Sequence, residues 1–165
     1  MERFTYILGS GKPEGAKPKG VKYVDRVAWE GIDIVLDFET KNWPVPTGSG
    51  LHLNATHVLE HIQDLGNFMD ECHRILSPGG SFFIEVPIVN NIQLAFSDPT
   101  HKRFFTKHTF INYFTVEGVH KFGYFKNAWS ILHISSNDSI VQVHLAPVPQ
   151  EYLTDDVLLA LNNIK

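Results

Sequence analysis

The 165-residue sequence predicts an α/β fold, with a mainly parallel sheet, helices on both faces and one antiparallel C-terminal strand. Three observations lead to this fold class. A short β-prone run, Phe4–Leu8, ends at a glycine loop. Apolar residues at three- and four-residue spacing predict an amphipathic helix at Val58–Leu76. A Pro-Gly-Gly turn then leads into Ser81–Val89, a nearly continuous apolar run that is typical of a central parallel strand.

The other predicted elements are shorter. The second, third and fourth strands are predicted at Lys22–Val27, Gly31–Phe38 and Leu51–Thr56. Lys12–Gly20 holds two prolines and two glycines, so it is predicted to be a loop where a parallel sheet would ordinarily place a helix.

The last third of the chain is less regular. Residues 90–123 are predicted to be irregular, with a short helix inside the aromatic-rich stretch Phe104–Phe114. Two β-prone runs, Trp129–Ile134 and Ile140–Leu145, predict a hairpin, and Glu151–Ile164 predicts a final amphipathic helix.

The composition is that of an ordinary globular domain, with 43% hydrophobic and 19% charged residues, and we expect one domain over residues 1–165. The net charge of −4 argues against a broad nucleic-acid interface. Cys72 is the only cysteine, so an internal disulfide is excluded. Because the sequence has neither a signal peptide nor an apolar run of about 20 residues, we expect a cytoplasmic protein without a membrane span. The oligomeric state is not indicated.

Neighbouring strand ends hold candidate ligand-binding residues. The glycine loop after the first strand exposes N–H groups to a polar ligand, and Asp25 could accept hydrogen bonds from both ribose hydroxyls of a nucleoside. Asp37 could accept an adenine amino proton, and Phe38 could pack on the ring. A plain turn and surface carboxylates remain the alternatives. Since parallel strands end at one edge of a sheet, these residues predict a nucleoside site there.

An H-x-x-E-H pattern spans His57–His61 and matches the spacing of one class of zinc metallohydrolase. The pattern lies at a strand-to-helix junction, and no convincing third ligand follows downstream. We therefore expect that His57 and His61 do not share a metal ion, and a metallohydrolase is the least favoured function.

A polar and aromatic loop follows the long apolar strand. Its candidate acceptor-binding residues are Asp98, His101, Arg103 and Phe104, of which Arg103 could hold an anion with two hydrogen bonds. A metal held by Asp98, His101 and His108 is an alternative, as is a capped, solvated loop. No metal is predicted for the chain.

Several segments, taken in order, resemble the small class I methyltransferases of the type 11 group: LGSGK, YVD, DIVLDFE, ATHVLEHI, ECHRILSPGG and FFIEVP. HVLEH followed by RILSPGG is the most specific part, and the resemblance covers roughly residues 6–114. It implies a Rossmann-like fold, S-adenosylmethionine as cofactor, and a small-molecule or glycan methyl acceptor. The residues that match the family's cofactor contacts are Gly9, Ser10, Gly11, Asp25, Asp37, Phe38, Asn54, Ala55 and His57.

The sequence also departs from this family. A Lys/Pro/Gly loop replaces the helix that usually follows the glycines, and Thr47–Gly50 stands where relatives often carry an Asp-Asn-Ser-Phe-like turn. The implied reaction is displacement at the sulfonium methyl, for which the protein supplies alignment. Where the acceptor must lose a proton, His57, His101 and His108 are the candidate bases. A non-catalytic adenosylmethionine-binding or partner protein on the same fold is the alternative.

Overall fold

The computed structural model describes residues 2–154, so most of the predicted helix Glu151–Ile164 lies outside the described residues. The strands are β1 Phe4–Leu8, β2 Val21–Asp25, β3 Ile34–Val35, β4 Gly50–Thr56, β5 Leu76–Pro87, β6 Trp129–Ser136 and β7 Ile140–Pro147. The helices are α1 Leu65–Ile75, α2 Ile92–Ser97, α3 Lys107–Tyr113 and α4 Val116–Phe122, with 3₁₀ turns at Leu59–His61 and Gln150–Tyr152.

The seven strands found within residues 2–154 form one sheet in the order β3-β2-β1-β4-β5-β7-β6. The strands from β3 to β5 pair in parallel, whereas β7 is antiparallel to both of its neighbours, β5 and β6. Within this sheet β7 is therefore the strand that runs against the other six. The predicted mainly parallel sheet with one antiparallel C-terminal strand is confirmed, as is the loop at Lys12–Gly20.

The core lies on one face of the sheet. Leu8, Ala55 and Ile84 are register partners across three strands and are fully or almost fully buried. Helix α1 covers this face, and the Phe68 ring of α1 contacts the Phe82 ring of β5. Burial of these apolar side chains is the main favourable term in the folding of this layer.

The opposite face differs from the expectation that helices cover both faces. Ile7, Asn54, Phe83 and His144 form one row of register partners across its centre. All four are only partly buried. The absence of a helix at Lys12–Gly20 contributes to this, because crossover helices of a parallel sheet are what cover its faces.

The predicted helix Val58–Leu76 was too long. The chain forms only a 3₁₀ turn at first, and α1 begins at Leu65 behind its N-cap Asp64, whose side chain accepts a hydrogen bond from the Asn67 N–H. The N–H groups of Gln63 and Asp64 bind the Glu39 carboxylate at 2.6 and 3.0 Å. This contact from a distant segment satisfies donors that a continuous helix would have used internally.

The third strand is shorter than Gly31–Phe38, because the chain leaves the sheet after Val35. Leu36 and Phe38 turn into the core, where the Phe38 ring lies 5.2 Å from Trp43 and 5.5 Å from Phe68. Three short helices, α2, α3 and α4, occupy part of the stretch predicted to be irregular, and α3 lies within the aromatic segment that predicted a helix.

A polar cluster on α1 fixes the connection between β3 and β4. The Glu71 carboxylate accepts from the Arg74 guanidinium at 2.7 and 2.9 Å and from the Trp43 N–H at 2.8 Å. Arg74 also donates to the carbonyl oxygens of Trp43 and Val45. The bonds from Arg74 and from the Trp43 N–H lower the pKa of Glu71 below its ordinary value of 4.5, against the opposing effect of burial.

Glu71→Gln should make the protein less sensitive to acid. A group with a lowered folded-state pKa stabilises the fold fully above its unfolded pKa, and this stabilisation is lost as the pH falls through the folded value. We expect the free energy of unfolding, measured by urea titration, to fall more steeply below pH 4.5 in the wild type than in Glu71→Gln. The exposed Glu14→Gln is the matched control, and identical pH slopes for wild type and Glu71→Gln would contradict the expectation.

Candidate cofactor-binding site

The glycine loop after β1 requires a backbone that glycine adopts most readily. Gly9 and Gly11 have φ angles of 63° and 61°, in the left-handed region. A Cβ atom on Gly9 would lie 2.6 Å from Cγ2 of Val58, in the segment after β4. The loop therefore packs directly on the beginning of the H-x-x-E-H pattern, which joins two predicted parts of the site.

Asp25 holds this loop in place from the end of β2. One carboxylate oxygen accepts from the Gly11 N–H at 2.8 Å, and the other accepts from the Val27 N–H at 2.9 Å. The residue is 9% exposed. Since a carboxylate offers about four acceptor positions, Asp25 keeps capacity for further donors while it organises the loop.

Asp37 and Phe38 differ in their exposure to solvent. Asp37 is exposed, and its carboxylate accepts from the Glu39 N–H at 3.0 Å. Phe38 is 8% exposed and packs within the aromatic core against Trp43 and Phe68. The predicted contact of Phe38 with an adenine ring stays a prediction, and its observed partners are protein side chains.

The chain turns sharply after β4. His57 has a φ of 55°, which is unusual for a residue with a side chain, and its N–H donates to the Glu85 carbonyl at 2.9 Å. Its ring Nδ1 lies 3.2 Å from the Glu60 carboxylate, and its Nε2 lies 3.6 Å from that of Glu85. The half-exposed His57 side chain therefore lies between two carboxylates, next to Asn54 and the buried Ala55 on β4.

The loop after α2 packs against the same segment. The N–H groups of Lys102 and Arg103 donate to the Glu60 carbonyl at 2.7 and 3.2 Å. The Arg103 side chain donates to the carbonyls of Ile62 and Gln63, so its guanidinium is engaged by backbone in this structure. Its predicted grip on an anionic acceptor stays untested.

The remaining predicted loop residues are more dispersed. Phe104 is 41% exposed and stacks on Phe96 at 4.1 Å. Asp98 is fully exposed and caps Thr100, and the hydrogen bonds from the Thr100 hydroxyl and N–H lower its pKa. The Nδ1 of His101 donates to the Ala95 carbonyl at 2.7 Å. His108 is exposed at the start of α3, away from these contacts.

Residues 18–84 match the family model described as "Methyltransferase domain". The curated proteins contain no significant match. Among solved structures, an S-adenosylmethionine-dependent methyltransferase from Mesorhizobium loti is similar at a TM-score of 0.60 and 13% identity, over 87% of this chain and 90% of that one.

The chain has the fold of the class I methyltransferases. A Burkholderia thailandensis 1,6-didemethyltoxoflavin-N1-methyltransferase, solved with bound 1,6-didemethyltoxoflavin and S-adenosylhomocysteine, has a TM-score of 0.58 at 12% identity, over 90% of this chain and 72% of that one. A putative methyltransferase from Haloferax volcanii, solved in complex with the Trm112 activator, has a TM-score of 0.58 at 13% identity, over 89% and 84% of the two chains. The resemblance to class I methyltransferases is thereby confirmed.

The sequence pattern does not assign two carboxylates of the site. Glu60 lies within the H-x-x-E-H pattern, where it is expected only as part of a zinc motif, and Glu85 is a polar position within an apolar strand. The pairing of Glu85 with the adjacent strand β4 places it beside His57, at the carboxyl edge of the sheet. The signal available was a charged residue in an otherwise apolar run, because such a residue is seldom buried without a partner.

Gly9→Ala should destabilise the protein more than Gly11→Ala. Both substitutions force a left-handed backbone on a residue with a Cβ, at a cost of about 1–2 kcal/mol. Only the Cβ at position 9 also meets Val58, at 2.6 Å, whereas nothing lies within 4 Å at position 11. Urea unfolding of Gly9→Ala, Val58→Ala and the double variant should show that Val58→Ala recovers part of the loss. If Gly9→Ala costs no more than Gly11→Ala, Val58 moves aside freely.

Proposed function

We propose that this chain binds S-adenosylmethionine at the carboxyl edge of its sheet and catalyses methyl transfer to a small-molecule or glycan acceptor. The observation that carries the proposal is the position of Asp25. Its carboxylate lies at the end of β2, next to the glycine loop, and accepts a hydrogen bond from the Gly11 N–H. The methyltransferase-domain match over residues 18–84 supports it. So does the Burkholderia thailandensis neighbour, which was solved with S-adenosylhomocysteine.

Residues at different positions of the sheet edge are proposed to bind different parts of the cofactor. The left-handed glycine loop allows its backbone N–H groups to approach the polar amino-acid part of the cofactor. Asp25 retains acceptor capacity for ribose hydroxyls, and the exposed Asp37 is the acceptor proposed for the adenine amino group. When bound, the cofactor supplies an electrophilic methyl group on a sulfonium, and the protein contributes alignment and exclusion of water.

Among the three candidate bases, the geometry favours His57. A carboxylate can only accept, so the Nδ1–H of His57 donates to Glu60 at 3.2 Å, and Nε2, which lies 3.6 Å from the Glu85 carboxylate, is the atom that would take the proton. The buried Glu60 orients the ring, which is a function of the carboxylate partner of a catalytic histidine. His101 donates its Nδ1–H to a backbone carbonyl instead of a carboxylate, and His108 lies exposed on α3.

Asp25→Asn should weaken S-adenosylmethionine binding by about ten- to a hundredfold, because a hydrogen bond to a charged group is worth about 1.5–3 kcal/mol. Asn preserves the size of the side chain and one oxygen, so the loop is less disturbed than in Asp25→Ala. Isothermal titration calorimetry with S-adenosylmethionine and S-adenosylhomocysteine measures the loss, with Asp138→Asn as the control in the β6–β7 turn. Wild-type affinity in Asp25→Asn would show that the carboxylate serves only the loop.

Turnover requires a separate test. Methyl release from labelled cofactor is measured against pools of small molecules and sugars, and the active pool identifies the acceptor class. Cofactor binding without release in any pool, including a protein pool, would favour the non-catalytic binding protein on the same fold.

His57→Asn should lower the rate for an acceptor that must lose a proton, and should remove the rise in rate with pH that a histidine base produces. The matched control is His108→Asn. An unchanged pH profile in His57→Asn would show that His57 is not the base.

We also expect Phe104→Ala to raise the KM for the acceptor, because its half-exposed ring lies on the loop that packs against the His57 segment.

A further inference from the structure

We propose that Glu60, His61 and His101 form a binding site for a divalent transition metal of the zinc class. One carboxylate oxygen of Glu60 and one ring nitrogen of each histidine lie within 4.8 Å of one another. The two imidazole rings are 4.9 Å apart between centroids and meet edge to face. The site differs from the zinc pattern considered in the sequence, because His101 from a distant loop takes the place of His57.

Hydrogen bonding fixes the tautomers of both histidines. The hydroxyl of Thr100 donates its one proton to Asp98 at 2.7 Å, so Nδ1–H of His61 must donate to that hydroxyl at 2.9 Å. Nδ1–H of His101 must likewise donate to the Ala95 carbonyl, which can only accept. Each neutral ring therefore presents the lone pair of Nε2, the form in which imidazole binds metal ions.

Glu60 supplies the observation that calls for a cation. The residue is 1% exposed, and its Oε1 accepts from His57, whereas Oε2 is buried and has no hydrogen-bond partner among residues 2–154. An unpaired buried carboxylate oxygen is costly. A metal ion held with His61 and His101 would compensate this charge directly.

The surroundings also resemble those of metal-binding histidines. Such residues usually donate their second N–H to a carboxylate, a carbonyl or a bridging group, which fixes the ring and raises its basicity. His101 uses the Ala95 carbonyl, and His61 uses Thr100, which is itself bonded to Asp98. Both rings thus have an outer partner, as a built site requires.

The ligand set selects the metal class. Two imidazole nitrogens and one carboxylate oxygen suit zinc, with a fourth position for water. Tetrahedral bonds of about 2.0–2.1 Å place ligand atoms about 3.3 Å apart, so each pair of ligand atoms must approach by at most about 1.5 Å from the observed limit of 4.8 Å. The site would join the 3₁₀ turn at Leu59–His61 to the loop at His101. It does not depend on the proposed methyl transfer, and it departs from the expectation that the chain holds no metal.

The test uses the full chain, stripped of metal by a chelator and titrated with zinc chloride by calorimetry, and with cobalt chloride by visible absorption. We expect one zinc ion per chain and a tetrahedral cobalt spectrum. His61→Ala and His101→Ala should weaken zinc binding by more than about a hundredfold, and Thr100→Val by about ten- to a hundredfold, as outer partners do.

Two controls make the result decisive. His52→Ala and His133→Ala remove exposed histidines outside the cluster and should leave zinc affinity unchanged. Glu60→Gln preserves the shape of the side chain. It therefore tests whether the carboxylate binds zinc, even where the circular dichroism spectrum of an alanine variant shows that this variant is unfolded. A wild-type chain that takes up no stoichiometric zinc overturns the proposal, as does zinc uptake that survives in Glu60→Gln, His61→Ala and His101→Ala. S-adenosylmethionine titrations of the same samples report separately on the cofactor site.

Discussion

The left-handed turn at His57 is the constraint on which the site depends. Its φ of 55° directs the chain out of the sheet immediately after β4, and the N–H bond to the Glu85 carbonyl fixes the turn against the neighbouring strand. The turn places Val58 under Gly9 and buries Glu60. Such a backbone costs about 1–3 kcal/mol in a residue with a side chain, and it persists only where the surroundings over-determine it.

The same segment joins regions that are far apart in sequence. The Glu60 carbonyl accepts from two consecutive N–H groups of the loop after α2, and the Arg103 guanidinium binds the carbonyls of Ile62 and Gln63. The glycine loop contacts Val58 from the opposite side. The ends of β1 and β4 and the loop after α2 are thereby held in fixed relation, as a reaction that relies on alignment requires.

The elements defined by local pattern could be predicted from the sequence, whereas those defined by distant contacts could not. The apolar run of β5 and the hairpin of β6 and β7 follow from periodicity alone. The break before α1 depends on Glu39, 24 residues before Gln63. On a continuous helix Glu60 would belong to the polar face, so its burial appears only once the 3₁₀ turn and the loop at Lys102 are in place. The local sequence around Arg103 likewise gives no sign that its side chain binds the backbone carbonyls of Ile62 and Gln63.

The partly buried row on the second face of the sheet has a thermodynamic consequence. Unfolding exposes less new apolar surface where Ile7 and Phe83 already contact water than where both faces are covered. The heat-capacity increment of unfolding scales with that newly exposed surface, and so does the dependence of stability on denaturant concentration. This chain should therefore have a flatter stability curve, with a broader temperature range around its maximum, than a three-layered protein of equal length.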